Sequence, residues 1–208
     1  MTRPLNRRLL PGLLVCLLIA GCGGIEMFGK ADGYQPRASY AVDIVMPPNA
    51  NFISQQFRPR EEHSMEAHDG IDVWGKIGTP ILAAAPGRVT ASFYEPKYGN
   101  RVEIDHGTDV DGKQVKTVYK HLKVRIAEKG DVVARGQQVG TMGATGALGM
   151  MVHLHFEVLR STGQGNMIAH DPQLFWTQGP GRVTCFDATA TYADQPFQTT
   201  YPVKCRAQ

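Results

Sequence analysis

The sequence predicts an all-β domain of short strands joined by tight turns. Three observations carry that prediction. The 208 residues include 23 glycines and 13 prolines, which break long helices and mark turns. Several segments alternate polar and apolar residues, the period of a half-buried strand, and Arg101-Val102-Glu103-Ile104-Asp105-His106 is the clearest. No stretch keeps an apolar stripe at helical spacing over three turns. Hydrophobic residues at 42% and charged residues at 20% describe a chain that buries a core rather than one that stays disordered.

The elements follow in order. Ile71-Asp72-Val73-Trp74 reads as a strand, and residues 81–85 as another. Gly87 marks the turn before a strand over residues 88–93, and the alternating segment at 101–106 comes next. Residues 114–122 and 151–160 suit longer strands. Between them Gly130, Gly136 and Gly140 punctuate a tight hairpin segment. Asp171-Pro172-Gln173-Leu174-Phe175 suits the start of one short helical turn. The folded domain is expected over residues 41–176, followed by a Thr- and Pro-rich extension at 177–208. There are no internal repeats.

The N-terminus reads as an address. Arg3, Arg7 and Arg8 precede the apolar run 9–20, which is shorter than the roughly 18 to 20 residues of a spanning helix. Ile19-Ala20-Gly21-Cys22 ends that run and resembles the lipobox of bacterial lipoproteins. That resemblance implies a signal peptide over 1–21 and a lipidated Cys22 that anchors the protein in a membrane. It also implies a periplasm-facing protein, and Gly23 after the cysteine favours the outer membrane. Residues 22–40 then form a flexible tether with a span of roughly 25 Å. The net charge of +3 comes from the three arginines of the signal. Without them acids and bases balance, so nucleic acid is not an expected partner. Export places the remaining cysteines in an oxidising compartment, and Cys185 with Cys205 is the expected disulfide. The competing reading of these two, a metal site, lacks nearby histidines.

All seven histidines lie between residues 63 and 170, and three clusters stand out. In His68-Asp69-Gly70-Ile71-Asp72 two zinc-ligand types flank a glycine able to turn both side chains toward one point. Taken alone, that cluster is explained somewhat better by a surface loop rich in His and Asp. In His153-Leu154-His155-Phe156 the two imidazoles share one strand face, and the apolar residues take the other. In Tyr119-Lys120-His121-Leu122 the same period puts Tyr119 and His121 on one face.

Together the clusters resemble the lysostaphin/LytM-type zinc metalloendopeptidases of bacterial cell walls. That family carries His-x-x-x-Asp, a Tyr-x-His-Leu-like strand and His-x-His in this order. Flanking segments agree, including Ile53-Ser54-Gln55-Gln56-Phe57, Gly78-Thr79-Pro80-Ile81-Leu82 and Tyr98-Gly99-Asn100-Arg101-Val102. The resemblance spans about residues 50–176. It implies an open antiparallel β-sheet or sandwich with little helix, and one Zn2+ held by His68, Asp72 and His155 with a fourth position open. It implies His121 and His153 as catalytic groups beside the metal, sharing acid and base roles. His106 is expected to be structural, and His63 and His170 have no role. The loop Ala147-Leu148-Gly149-Met150-Met151-Val152 is more apolar than its family counterpart and should border the substrate groove, as should residues 58–67.

The implied activity is hydrolysis of peptide stems or cross-links of peptidoglycan, with a regulatory protein or amidase as a further partner. The alternative is a non-hydrolytic activator of cell-wall amidases, as in relatives that have lost zinc ligands. A protease for Gly-rich proteins is a third reading. All five site residues stand in this chain, which an activator does not need.

Overall fold

A computed structural model describes residues 42–59, 67–193 and 195–207. Its regular structure is eleven strands and one 3-10 turn. The strands are β1 (Ile53–Gln55), β2 (Ile71–Trp74), β3 (Pro80–Leu82), β4 (Gly87–Glu95), β5 (Gly99–Thr108), β6 (Gln114–Leu122), β7 (Val124–Arg125), β8 (Val132–Val133), β9 (Gln138–Thr141), β10 (His153–Ser161) and β11 (Met167–His170). The 3-10 turn is Pro172–Leu174, and the Asp171 carboxylate caps it by accepting the Gln173 N–H at 3.0 Å.

The main sheet runs β1-β2-β10-β6-β5-β4-β8, with β11 pairing the far half of β10. The small sheet runs β3-β9-β7. Every strand pair is antiparallel. The fold is therefore the open antiparallel all-β architecture expected. Its hairpins need only short turns, which the glycines supply.

Period two sorts the residues of the central strands. Val73 on β2, Leu154 and Phe156 on β10 and Tyr119 on β6 enter one apolar cluster and are fully buried. Ile81, Val139 and Met142 meet them from the side of the small sheet. Truncating a buried side chain such as Phe156 to alanine costs about 3–5 kcal/mol, because the cavity collapses only partly.

Two departures from the local reading have nonlocal causes. Residues 83–85 leave strand pairing after Leu82, because the Ala83 N–H bonds to the Gln137 carbonyl and the Ala84 carbonyl accepts from Thr200 N–H. β11 is absent from the local reading, since Met167-Ile168-Ala169-His170 is too short and mixed to stand out. It exists because β10 offers it an edge, with Val158 opposite His170.

Residues 177–207 pack against the domain. Trp176, Val183, Tyr201 and Val203 belong to the same core cluster, and Thr199 and Thr200 are fully buried. The expected Cys185–Cys205 disulfide is present, with Cα atoms 6.0 Å apart and a sequence separation of 20. A loop of that length stabilises by roughly 3 kcal/mol in the chain-entropy account.

Candidate metal centre

The site begins with strand register. Asp72 of β2 stands directly opposite His155 of β10, and Trp74 opposite His153. Direct partners project to the same side of the sheet. Asp72, His153 and His155 therefore share the face away from the core. His68 arrives from the segment before β2. Its backbone exchanges two hydrogen bonds with Arg58, at 2.9 and 3.0 Å.

Gly70 has a different role from the one expected. Its backbone is not in the left-handed region that a turning glycine would use. A Cβ placed there would stand 2.2 Å from the Phe156 carbonyl oxygen. Glycine is needed so that the segment can lie against β10 and deliver His68 beside His155.

His121 joins the site by breaking the strand period. The β5–β6 register runs from Asn100 opposite Leu122 to Val102 opposite Tyr119, so β6 carries one extra residue there. Such a bulge re-aims a side chain. His121 has φ 61°, the one positive value among described non-glycine residues. Tyr119 goes into the core, where its hydroxyl accepts the Ala84 N–H at 2.8 Å. His121 instead turns to the face that carries Asp72, its ring 4.6 Å from that of His153 and 6.3 Å from that of His155. The expectation that Tyr119 and His121 share a face is thus corrected, and the bulge is the reason.

Each of the four imidazoles donates outward. Nδ1 of His68 gives its proton to the Gln56 carbonyl, Nδ1 of His121 to the Thr145 carbonyl, and Nδ1 of His153 to the Met151 carbonyl, each at 2.8 Å. His155 Nε2 donates to the Glu157 carboxylate at 2.9 Å. Carbonyl and carboxylate oxygens only accept, so these ring nitrogens carry the protons and the tautomers follow. The opposite nitrogens present lone pairs. His68 Nε2 lies 3.2 Å from Asp72 Oδ1 and 3.2 Å from His155 Nδ1, and His155 Nδ1 lies 2.8 Å from Asp72 Oδ1. His153 Nε2 stands further off, 3.8 Å from the same oxygen.

Three acceptors this close repel unless a proton or a cation lies among them. Ligand atoms about 2.0–2.1 Å from a tetrahedral ion sit roughly 3.3 Å apart, near the observed spacing. The donor set fits a metal ion, and His68, Asp72 and His155 are the group that meets the requirement among the described residues.

Electrostatics point the same way. Burial would raise the Asp72 pKa, but the hydrogen bonds and charges of His155 and His68 hold it far below the usual carboxylate range. Burial opposes charge on His155, yet Asp72 and Glu157 outweigh it and raise its affinity for a proton. A site that attracts a proton attracts a metal cation, and the two compete for Nδ1. His121 differs: burial lowers its pKa to about 4, so it stays neutral at physiological pH.

Behind His155 stands a pair that motif reading passed over. Glu157 is buried and ion-paired with buried Lys120, whose Nζ lies 3.9 Å over the Tyr98 ring. Burial works against the Glu157 charge, but His155 and Lys120 bring its pKa down to about 2. The signal was present, because Glu157 follows His155 by two residues on one strand face. Lys120 was less visible, since only the register sets it opposite His155.

His106 is structural, as expected. It is held by the Pro86 carbonyl at 2.7 Å and Thr117 Oγ1 at 2.8 Å, away from the cluster. His170 packs on Phe175 and is also apart. His63 and Cys22 lie outside the described residues. The loop expected to flank the groove adjoins the site through the Met151 carbonyl, and it leaves Leu148, Met150 and Met151 exposed.

Comparison with known proteins settles the lineage. Residues 66–169, half of the chain, match Peptidase family M23. The chain belongs to this family. The M23 region holds all five residues of the cluster. The chain is 39% identical over 127 residues to the peptidoglycan DD-endopeptidase ShyC of Vibrio cholerae, covering 59% of this chain and 28% of ShyC. It is 37% identical over 90 residues to the uncharacterized lipoprotein YgeR of Escherichia coli, covering 43% of this chain and 33% of YgeR. It thus spans about a third or less of the length of these relatives. Among solved structures, LytU superposes with a TM-score of 0.50 at 29% identity, covering 69% of this chain and 94% of LytU.

Proposed function

We propose that this chain is a zinc-dependent endopeptidase that hydrolyses peptide stems or cross-links of peptidoglycan. The observation that carries the reading is the convergence of His68, Asp72 and His155, their lone pairs turned to one point, with His121 and His153 beside them. The substrate class is supported by ShyC, a relative named for its action on peptidoglycan.

His68 Nε2, Asp72 Oδ1 and His155 Nδ1 would hold the zinc. Bound there, zinc supplies Lewis-acid polarisation of a carbonyl and acidifies water. The chain's own residues do the rest. Gln56 and Glu157 keep the ligand imidazoles in the tautomers that face inward. His121 is neutral at physiological pH with Nδ1 committed to Thr145, so its Nε2 accepts a proton. His153, with Nδ1 committed to Met151, likewise offers Nε2. The two stand side by side, able to take a proton from the attacking group and return one to the leaving amine.

The test is digestion of purified peptidoglycan by the purified protein, with and without a chelator, and identification of released fragments by mass spectrometry. Chelator-sensitive release of cleaved stems or cross-links is expected. No release by zinc-loaded protein would sink the hydrolase reading. In that case the His155→Ala variant would show whether an amidase is activated without hydrolysis.

We also infer that the protein faces the periplasm from a lipid anchor at Cys22, on the outer membrane. The lipobox-like Ile19-Ala20-Gly21-Cys22 and the lipoprotein relative YgeR support this placement.

A further inference from the structure

Trp74 stands on the sheet face that carries the site. It is the register partner of His153 across β2 and β10. Their Cβ atoms therefore lie about 5 Å apart on one side of the sheet. An outward position on a strand ordinarily takes a polar side chain, yet here it holds an indole that is 49% exposed. Phe52, 40% exposed, packs against it with ring centroids 5.3 Å apart. The backbone under both rings is fixed. The Trp74 N–H donates to the Phe52 carbonyl at 3.1 Å, and the Asn51 side-chain amide donates to the Trp74 carbonyl at 3.0 Å.

The chain leading into His153 is apolar as well. The Nδ1–H of His153 donates to the Met151 carbonyl, and this loop leaves Leu148, Met150 and Met151 exposed. Residues 143–152 contain no acid or base, and neither do residues 50–57. Scattered apolar side chains are ordinary on a surface, but a group gathered at one site marks a binding surface. Paired aromatic rings offer a large contact area with few torsions to freeze, and thioethers adapt to an irregular partner.

We propose that Trp74, backed by Phe52, is a specificity-determining residue that binds the aliphatic part of a peptidoglycan stem peptide beside the bond that is cut. The proposal rests on the hydrolase reading above. Reach favours the peptide over the glycan strand to which stems are joined. One extended residue spans about 3.5 Å, so a ring on the register partner of His153 meets the substrate within about two residues of a bond held at His153. Chemistry favours it too. A sugar ring needs polar partners for its hydroxyls, whereas phenyl and thioether groups supply none and the indole supplies a single N–H.

The experiment measures steady-state kinetics of the purified full-length protein on two substrates made from purified peptidoglycan. One is the cross-linked stem-peptide dimer with its sugars, and the other is the same dimer freed of sugar by an amidase. Trp74→Ala should raise KM about 10-fold on both. Its kcat should change by less than about 2-fold, because the contact is made before the reaction as well as during it. Trp74→Phe should recover most of the loss. Phe52→Ala should raise KM in the same direction, and it decides the matter if Trp74→Ala does not fold. Zinc affinity by chelator competition should match wild type in all three variants, which separates lost substrate contact from a damaged site. An unchanged KM in Trp74→Ala overturns the proposal. So does a rise in KM, or cleavage itself, confined to the sugar-bearing dimer, which assigns the rings to the glycan. A fall in kcat at constant KM, or weakened zinc binding, makes Trp74 a support for the site and overturns it as well. Zinc-loaded wild type that cleaves neither dimer overturns the hydrolase reading itself, and is seen before any variant is made.

Discussion

His155 shows how much of the centre is decided around a single side chain. One nitrogen faces Asp72 and the other donates to Glu157, so the residue cannot rotate without giving up both contacts. Glu157→Gln keeps an oxygen acceptor but removes the charge that makes the imidazole a stronger ligand. Zinc affinity should fall by about 10-fold or more, measured by chelator competition; unchanged affinity would assign Glu157 to packing alone. His106 contributes to the pH dependence of stability, in a window that it shares with His121. Its pKa drops from 6.5 in the unfolded chain to about 4 by burial. The stabilisation is full above pH 6.5, falls as the unfolded chain takes up the proton, and is lost below about pH 4. Urea midpoints should decline across that window in wild type and decline less steeply in His106→Gln. Equal slopes in both proteins would place the acid sensitivity elsewhere.

The strands position the chemistry. β10 sits between β2 and β6, so one strand brings His153 and His155 against Asp72 on one side and Lys120 on the other. The close approach of the 68–70 segment to β10 is what admits His68. Gly70→Ala forces a Cβ against the Phe156 carbonyl, and should destabilise the fold by about 1–3 kcal/mol and loosen the metal site with it. Thermal unfolding and zinc stoichiometry check this together. A stable variant with full zinc binding would show that the segment shifts freely.

At the scale of the whole molecule, the core joins the main sheet, the small sheet and residues 176–203 in one cluster. The C-terminal segment is therefore part of the domain's packing, and the Cys185–Cys205 disulfide staples it there. The proposed anchor also belongs to this scale. Cys22→Ala should shift the protein from the membrane fraction to the soluble periplasmic fraction. Continued recovery with membranes would mean that something other than a lipid on Cys22 holds it there.

Much of this was readable from local pattern. Alternation located β5, β6 and β10, and period two put His153 and His155 on one face with Leu154 and Phe156 behind them. Those features depend on neighbours one or two residues away, so a linear reading reaches them. The spacing of His68 and Asp72 and the cysteine pair were legible for the same reason, since they are residue types at short or countable separations.

What the tertiary structure alone decided depends on contacts between distant segments. The bulge at His121 needs β5 as its partner, and it overturns the face that period two assigns. β11 exists only because β10 has an edge to fill. Gly70 is required by the Phe156 carbonyl, more than eighty residues away. The buried side-chain amides of Gln173 and Gln56 pair across more than a hundred residues, with no local signature. Periodicity and residue chemistry travel with the chain, whereas register, close approach and buried hydrogen bonds are set only when distant segments meet.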